Sequence, residues 1–589
     1  MSSSLHQQLL AAVAAHQRGQ LDAAERGYRA ILRVQPTHFD AMHLLGAALA
    51  ARGQNAQAEP LLRRAVALNP KAAAAHNNLG NVVKALGRAE DSLAHYGRAI
   101  ALDKTYADAL GNRGNVLAEL GRGAEALADY DGALAHNPGH RAALQRSAQI
   151  LNEIGRPEEA LMRSERALAL GAGTPGAWMR NGNILLHLKR PDAALASYDK
   201  ALALDPDHAL CAVNRSAALD ALGRPQEAIE GLDRVLARNP HDAGALNNKA
   251  TILKSLDRPE EALAVYEKAL ALAPDDADIQ SNFAMGCLLT GDFERGWPAF
   301  EQRWAKKENA GKKPVLPFAE WEGEPLGGRS IVVHAEQGLG DIVQFARFLP
   351  LLKDAKVTFL VAGKMHALLH RALPGIALLD DVAQARERAF DFQCAMMSLP
   401  LRLGTRLDTI PAAVPYLEAE PERMARWRER IGDAGFKIGI AWQGNPNVGV
   451  DQGRSIALST FLPLAQVPGV RLISLQKNEG SEQLRPPVES LGEGFDAGPS
   501  SFLDTAAAME SFDLVISSDT AVAHVAGALA RPVWIALKHV PDWRWMRARA
   551  DSPWYPTMRL FRQTAPGDWD GVFVRIREAL SARAASKSA

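Results

Sequence analysis

Two segments in the second half of the chain place carboxylates where a β-branched run gives way to a helical pattern. The first reads His334-Ala-Glu-Gln-Gly338-Leu-Gly340-Asp341-Ile-Val-Gln-Phe, the second Phe512-Asp-Leu-Val-Ile-Ser-Ser-Asp519-Thr520-Ala521-Val-Ala-His524. A helix begins with unpaired N–H groups and the positive end of its dipole, so the amides near Thr520 to Val522 suit the diphosphate, or monophosphate, of a nucleotide. A carboxylate at the end of a strand can take a proton from a hydroxyl, a contribution of roughly 10²–10⁴ in rate. Asp341 has that position, and it equally fits a helix cap. Glu336 is the neighbouring carboxylate that would take over as base if Asp341 were only a cap. His524, one turn into its helix, is either a hydrogen-bonded structural histidine or a ligand contact.

Other residues gather around the same chemistry. The run Ile438–Trp442 leads into Gln443, Gly444, Asn445 and Pro446, and a side chain at 444 would block close approach of backbone to a ligand. Arg454, in Asp451-Gln-Gly-Arg-Ser, either balances phosphate charge or is solvated. Gln476 and Lys477 follow another strand-like run and face the same cleft on this reading. Trp543-Arg544-Trp545 either stacks a base or packs in the core. Competing chemistries fare worse. A dinucleotide site needs a third glycine where Val343 stands and a carboxylate after the second strand, which instead ends Phe359-Leu-Val-Ala-Gly-Lys364. GxxxxGK[ST], HExxH and GxSxG are absent from the sequence, and Asp568-Trp569-Asp570 reads as the start of the last helix rather than a metal site. No metal or cofactor is expected.

The elements that must position these groups alternate between short β-branched runs and helical patterns, the signature of parallel α/β layers. Strands are expected at Ser330–His334, Val357–Val361, Ile438–Trp442, Arg471–Leu475, Leu514–Ser517 and Pro532–Ala536. Two Rossmann-like lobes follow, residues 319–418 and 437–589, joined by a connecting helix over 419–436, with the ligand in the cleft at the carboxyl ends of the strands. A charged, Gly/Pro-containing linker over 306–318 precedes them.

The first 305 residues repeat. Prolines at 36, 70, 138, 206, 240 and 274 are separated by multiples of 34, and nine units of 34 residues fit between Leu5 and Ala310. The eighth position of each unit is always small (Gly46, Gly80, Gly114 and Gly182 among them). The twentieth is alanine, serine or glycine, and the twenty-fourth is mostly bulky, as at Tyr28, Tyr96, Tyr130, Tyr198 and Tyr266. Small residues at two places let paired helices approach closely. Lys104 and Ala172 replace the proline in two units, and the ninth unit is degenerate, as a terminal repeat would be. The sixth position carries Asn78, Asn112, Asn214, Asn248 and Asn282, with Arg146 and Arg180 between. A primary amide donates and accepts, so a row of them can pair with an extended polypeptide.

The repeat pattern resembles the tetratricopeptide repeat. The Gly-Leu-Gly-Asp turn, the Ile438-Gly-Ile-Ala-Trp-Gln-Gly-Asn-Pro segment and Asp519-Thr-Ala-x-x-His524 together resemble the heptosyltransferase-like glycosyltransferases, although Ala521 stands where that family often has glycine. The resemblance implies an all-α tetratricopeptide solenoid followed by an α/β GT-B pair of lobes, an acceptor lobe and then a nucleotide-sugar lobe. It also implies inverting, metal-independent transfer with Asp341 as base. Joined to repeats, the chain is similar to bacterial tetratricopeptide-repeat glycosyltransferases, some of which modify flagellin, and in architecture to the O-linked N-acetylglucosamine transferases, whose asparagine ladder holds protein substrates. The alternative is a non-catalytic scaffold or export chaperone.

Composition fits this reading. Lys plus Arg and Asp plus Glu are equal at 67 each in 589 residues, so no global basic field favours nucleic acid. Cys211, Cys287 and Cys394 are far apart, which fits a reducing compartment. Apolar runs stay short of the ~18 residues that would suggest a membrane span, and no basic leader opens the chain. A cytoplasmic protein is expected.

Overall fold

The computed structural model describes residues 2–171, 173–306, 309–445 and 453–588. Ala172, Pro446, Asp451 and Gln452 therefore lie outside the described residues. From Ser2–Gln17 and Leu21–Val34 onward, helices follow in consecutive antiparallel pairs to Ala277–Thr290 and Phe293–Phe300. The first half is a helical tetratricopeptide solenoid.

The 34-residue pattern has a direct steric cause. A Cβ on Gly80 would lie 2.7 Å from the Tyr96 ring, one on Gly114 2.9 Å from Tyr130, one on Gly182 2.6 Å from Tyr198, and one on Gly46 2.6 Å from Leu62. The small eighth position thus receives the bulky twenty-fourth position of the same unit. Those tyrosines are fully buried, so each hydroxyl needs a partner. Tyr96, Tyr130 and Tyr198 donate to the Asn81, Asn115 and Asn183 amide oxygens at 2.8, 2.8 and 2.7 Å. The helix Ala89–Leu102 stops in register although Lys104 stands where six of the units have proline, so the turn is set by the helix pair rather than by the proline alone.

The chain divides into two compact units, residues 1–235 and 236–589. The eighth and ninth repeats therefore belong with the α/β half. The ninth repeat supplies aromatic packing to it: Trp297 meets Trp543 edge-on at 5.4 Å, and Phe293 lies 6.2 Å from Trp554. Arg303, 5% exposed, forms a bidentate pair with Glu336 at 2.8 and 2.9 Å.

Two five-stranded sheets follow, each parallel throughout. The first is built from β1 (Ala319–Glu320), β2 (Ser330–His334), β3 (Lys356–Leu360), β4 (Ala377–Leu379) and β5 (Phe392–Ala395), in the order β1-β5-β2-β3-β4. The second is built from β6 (Phe436–Ala441), β7 (Val470–Ser474), β8 (Leu514–Ser517), β9 (Val533–Leu537) and β10 (Met558–Arg562), in the order β10-β9-β8-β6-β7. The six expected strands correspond to β2, β3, β6, β7, β8 and β9 within one or two residues. Four others carried too weak a signal: β1 and β4 are two and three residues long, β5 includes Gln393, and β10 alternates exposed Arg559 with buried neighbours. The connecting helix is Pro421–Ile431, with proline in its first turn and Gly432 ending it at φ 73°.

Candidate active site

β2 and β8 each end in a turn that opens a short helix, Leu339–Phe345 in the first lobe and Ala521–Ala528 in the second. The two helix starts meet. A Cβ on Gly340 would lie 3.0 Å from His524 Cδ2 and 3.4 Å from Ala521 Cα, so glycine at 340 lets the lobes touch here. Gly338, by contrast, has an ordinary φ of −87°. The left-handed residue of that turn is Gln337, at φ 61°.

Asp341 is held from two sides. Its Oδ2 accepts from the Gly338 N–H at 2.9 Å, the reciprocal bond of a capped helix start. Its Oδ1 accepts from Arg544 Nη2 at 2.5 Å, across 203 residues of sequence. Arg544 is 8% exposed. It also donates to Gln344 Oε1 at 2.8 Å in the first lobe and to Asp542 Oδ1 at 2.8 Å in the second. Burial opposes its charge, but Asp542 and Asp341 outweigh that, and its pKa rises. Trp543 and Trp545 are 5% and 0% exposed. Trp543 packs against Trp297 and Trp554, and Trp545 stacks on His524 at 5.3 Å. Core packing is therefore their role.

Glu336 is engaged differently. Besides pairing with Arg303, its Oε1 accepts from the Met397 N–H at 2.9 Å. Three of its lone-pair sites go to holding the end of the repeats to the first lobe.

On the facing helix, Asp519 is partly buried and its carboxyl is pushed up to about 6. Burial is the main cause and the Asp542 carboxylate the second, while Arg454 and Arg544 pull the other way. Thr520 stands at the N-cap position but its side chain does not cap the helix; its Oγ1 lies 3.1 Å from Ser517 Oγ instead. His524 Nδ1 lies 3.0 Å from the Tyr555 hydroxyl. Burial, then the charges of Arg544, Arg347 and Arg454, hold its pKa well below the usual imidazole range. It is thus a neutral, hydrogen-bonded wall of the site.

Of the loop residues, Arg454 comes within electrostatic reach of Asp519 and His524. Gly444 is what lets it lie there, because a Cβ at 444 would sit 2.9 Å from Arg454 Nη2. Gln476 spends its amide inside the lobe. Its oxygen accepts from the Trp442 and Gln443 N–H groups at 2.9 and 3.1 Å, and its nitrogen donates to the Gln443 carbonyl at 2.8 Å. Gln443 Oε1 accepts from Gln483 at 3.0 Å, and Lys477 Nζ donates to the Phe495 carbonyl at 2.6 Å. Gln476 and Gln443 brace the loop, whereas Lys477 is tied to the segment at Phe495. Asp568 accepts from Gly571 N–H and Thr564 Oγ1, both at 2.9 Å, and so caps the last helix. Among the described residues no group of three or more His, Cys, Asp and Glu is placed to hold a metal, and no helix is long and apolar enough to cross a membrane.

The sixth-position asparagines are partly committed to one another. Asn112 Nδ2 donates to Asn77 Oδ1 at 3.0 Å, Asn214 to Asn183 Oδ1 at 3.0 Å, and Asn282 to Asn247 Oδ1 at 3.1 Å, while Asn78 Nδ2 lies 2.9 Å from His43 Nε2. Asn248 is engaged as well. Each of these four bonds uses one N–H to pin a repeat to its predecessor.

The sequence reading missed Arg544 as the link between lobes, and Arg347, which is 5% exposed. Arg347 donates to the Trp554 carbonyl at 2.5 Å and the Tyr416 hydroxyl at 2.8 Å. An arginine between two tryptophans was the signal available for the first. Its partners in the first lobe, Asp341 and Gln344, lie 203 and 200 positions away and leave no local trace.

Comparison with known proteins supports the repeats. The tetratricopeptide repeat family matches residues 9–73, 112–175 and 147–209, a TPR repeat matches 84–121, and the N-terminal TPR repeat region of Psidin matches 185–297. Protein FlbA of Caulobacter vibrioides is 28% identical over 327 residues, covering 51% of this chain and 54% of FlbA. The chain thus spans about half the length of this curated relative. Among solved structures, MamA is 25% identical with a TM-score of 0.25, covering 27% of this chain and 94% of that one. The PilF of Pseudomonas aeruginosa is 22% identical with a TM-score of 0.33, covering 35% and 94%. YrrB, described as a TPR protein with an unusual peptide-binding site, is 24% identical with a TM-score of 0.28, covering 31% and 95%.

Proposed function

We propose that the chain is an inverting, metal-independent glycosyltransferase that moves a sugar from a nucleotide-sugar donor to a hydroxyl of a polypeptide held by its repeats. The observation that carries this reading is the meeting of the Asp341 turn with the Asp519-Thr520 turn, each at the carboxyl edge of a parallel sheet, with Gly340 against Ala521 and His524. Brought to the first lobe, an acceptor hydroxyl gives its proton to Asp341 while its oxygen attacks the anomeric carbon, and the sugar–phosphate bond breaks. A carboxylate offers about four lone-pair sites, so the bonds to Gly338 and Arg544 leave room for that proton. The amides at the start of the Ala521–Ala528 helix and the Arg454 guanidinium take up the charge of the leaving phosphate. Protein binding is the ordinary task of such repeats, and a flagellin-like acceptor is the one the family resemblance implies.

One observation favours a second reading, a scaffold or export chaperone whose α/β half only binds. Both Asp341 oxygens already have partners, as a purely structural cap would. Incubating the full chain with ADP-, UDP-, GDP- and CMP-sugars and measuring nucleotide release separates the two. Release that disappears in Asp341→Asn supports the enzyme, whereas donor binding without release in the wild type supports the scaffold.

A further inference from the structure

Behind the helix Ala521–Ala528, Tyr416, Tyr555 and His524 form a chain of hydrogen bonds whose protons can be assigned in order. Tyr416 lies at the end of the first lobe, its N–H donating to the Ala528 carbonyl at 2.9 Å. Its hydroxyl donates to the Val343 carbonyl at 2.9 Å and accepts from Arg347 at 2.8 Å. A carbonyl can only accept, so the one Tyr416 proton is committed there. The Tyr555 hydroxyl sits 3.4 Å from that of Tyr416 and 3.0 Å from His524 Nδ1. Its proton therefore goes to the imidazole, because the longer separation exceeds the roughly 2.5–3.0 Å of an O–H···O bond, and Arg347 already serves the Tyr416 oxygen. Tyr555 is fully enclosed, and burial, with Tyr416 adding to it, holds its hydroxyl protonated well above the usual phenol range.

His524 is neutral, so it has one ring proton to place. With Nδ1 accepting from Tyr555, that proton belongs on Nε2. Nε2 makes no hydrogen bond among the described residues and, unlike the two ring nitrogens of His334, is not shut off from solvent. A side chain in the first turn of a helix leans back over the helix start. Here the ring reaches it, since His524 Cδ2 and Ala521 Cα both face Gly340 at the meeting of the lobes. Trp545, stacked at 5.3 Å, holds the ring plane. Cδ2 is bonded to Nε2, so the free N–H lies at this edge, beside the open amides of the helix. An uncharged donor suits the place. Arg544, Arg347 and Arg454 already bring positive charge to the ring, which favours an anionic oxygen over a sugar hydroxyl as its partner.

We propose that Tyr555 is a positioning residue of the transfer reaction: backed by Tyr416 and Arg347, it fixes the His524 proton on Nε2, and His524 donates that N–H to a phosphate oxygen of the nucleotide-sugar. This rests on the nucleotide-sugar reading given above. The proton order starts at Val343, within the helix Leu339–Phe345. The helix that carries Asp341 thus sets the tautomer of the histidine facing it.

Selective ¹⁵N-histidine labelling of the full chain tests both parts, the His524 signals being those missing from the spectrum of His524→Gln. At pH 7 the wild type should show a protonated Nε2 and a bare Nδ1. Whichever of ADP, UDP, GDP, CDP and CMP the wild type binds should move the Nε2 signal. By calorimetry, that nucleotide should bind about tenfold more weakly to His524→Leu. His524→Gln should stay close to wild type, because its amide supplies a neutral N–H at similar reach. Tyr555→Phe should lose about threefold in affinity and show the His524 proton shared between both nitrogens. A wild-type proton on Nδ1, or an imidazolium, overturns the proton assignment. A single Nε2–H tautomer kept in Tyr555→Phe overturns the role of Tyr555. Equal affinity in wild type and His524→Leu overturns the phosphate contact while leaving the donor reading in place. If either apolar variant fails to fold, a nucleotide that binds the wild type without moving the Nε2 signal overturns the contact. No binding of any of these nucleotides to the wild type overturns the donor reading and the contact together, whereas the proton assignment is still judged by the spectrum alone.

Discussion

The two lobes carry nearly the same local construction and treat its carboxylate in opposite ways. In the first, Asp341 is capped by an N–H and paired with the buried Arg544. In the second, Asp519 is enclosed beside Asp542, and its carboxyl is pushed up to about 6. One carboxylate is paired outright and the other is compensated only in part, by the charges of Arg454 and Arg544, although both follow a buried strand and open a helix. Compensation is thus decided by what the opposite lobe brings rather than by the strand-turn-helix itself. Arg544 lies in the second lobe yet serves the first. A protein that needed only two stable lobes would gain from pairing each carboxylate at home.

The sharpest way to break this contrast is at Asp341. Replacing it with Asn keeps the shape and the cap oxygen but removes the base. Sugar transfer should fall by roughly 10²–10⁴, with donor affinity kept. Single-turnover assays and donor calorimetry on the same preparation would check both halves, and full activity would reduce Asp341 to a cap. Next in size is Arg544→Met. Removing the cation leaves Asp341 and Asp542 close together without their shared partner, and breaking a buried pair this way costs about 3–5 kcal/mol. Urea unfolding would measure it, and a loss below about 1 kcal/mol would show that the link between lobes carries little.

Asp519 offers the converse test. Its folded pKa lies above the unfolded value of 3.8, so the folded chain holds this proton to higher pH than the unfolded chain. Its contribution is therefore most favourable at low pH, declines as pH rises from about 4 to about 6, and stays unfavourable above that. Asp519→Asn should raise stability at pH 7 by on the order of 1–3 kcal/mol and flatten that decline. Melting curves between pH 5 and 8 would show it. Equal pH dependence in wild type and variant would mean Asp519 is not the group responsible.

How much of this was legible in the sequence follows from range. The repeats were readable because each steric rule closes within one unit: Gly80 meets Tyr96, and Gly114 meets Tyr130. β2 and β8 were readable because buried parallel strands are continuous apolar runs. Asp341, Gly340, Asp519 and Thr520 were readable as turn residues, and the structure brings them together. What escaped were side chains whose partners come from another lobe. Arg544, Arg347 and the Arg303–Glu336 pair are single charged residues in unremarkable surroundings until the chain folds. The loop-clamping bonds of Gln476 escaped in the same way, since a glutamine after a strand looks alike whether it faces a ligand or clamps a neighbouring loop.

The smallest effect concerns the repeats, where pinning and capture compete for the same amides. Asn282 donates one N–H to Asn247, and a primary amide keeps a second N–H and its oxygen. Replacing Asn214, Asn248 and Asn282 together by Ala removes both functions. Replacing Asn183 and Asn247 by Ala removes the pins to Asn214 and Asn282, and with Asn183 the acceptor of the Tyr198 hydroxyl, and leaves those two ladder amides in place. At about 0.5–1.5 kcal/mol per hydrogen bond, both variants should melt slightly below wild type. Only the triple variant should lose acceptor, with the KM for a protein acceptor rising about tenfold, the equivalent of 1.4 kcal/mol, while donor hydrolysis stays unchanged. If the double variant loses acceptor equally, the asparagines act by shaping the surface, and the polypeptide is held by other groups. If neither loses it, the row is a feature of repeat packing alone, and the contrast between a binding half and a reacting half must be redrawn around the eighth and ninth repeats.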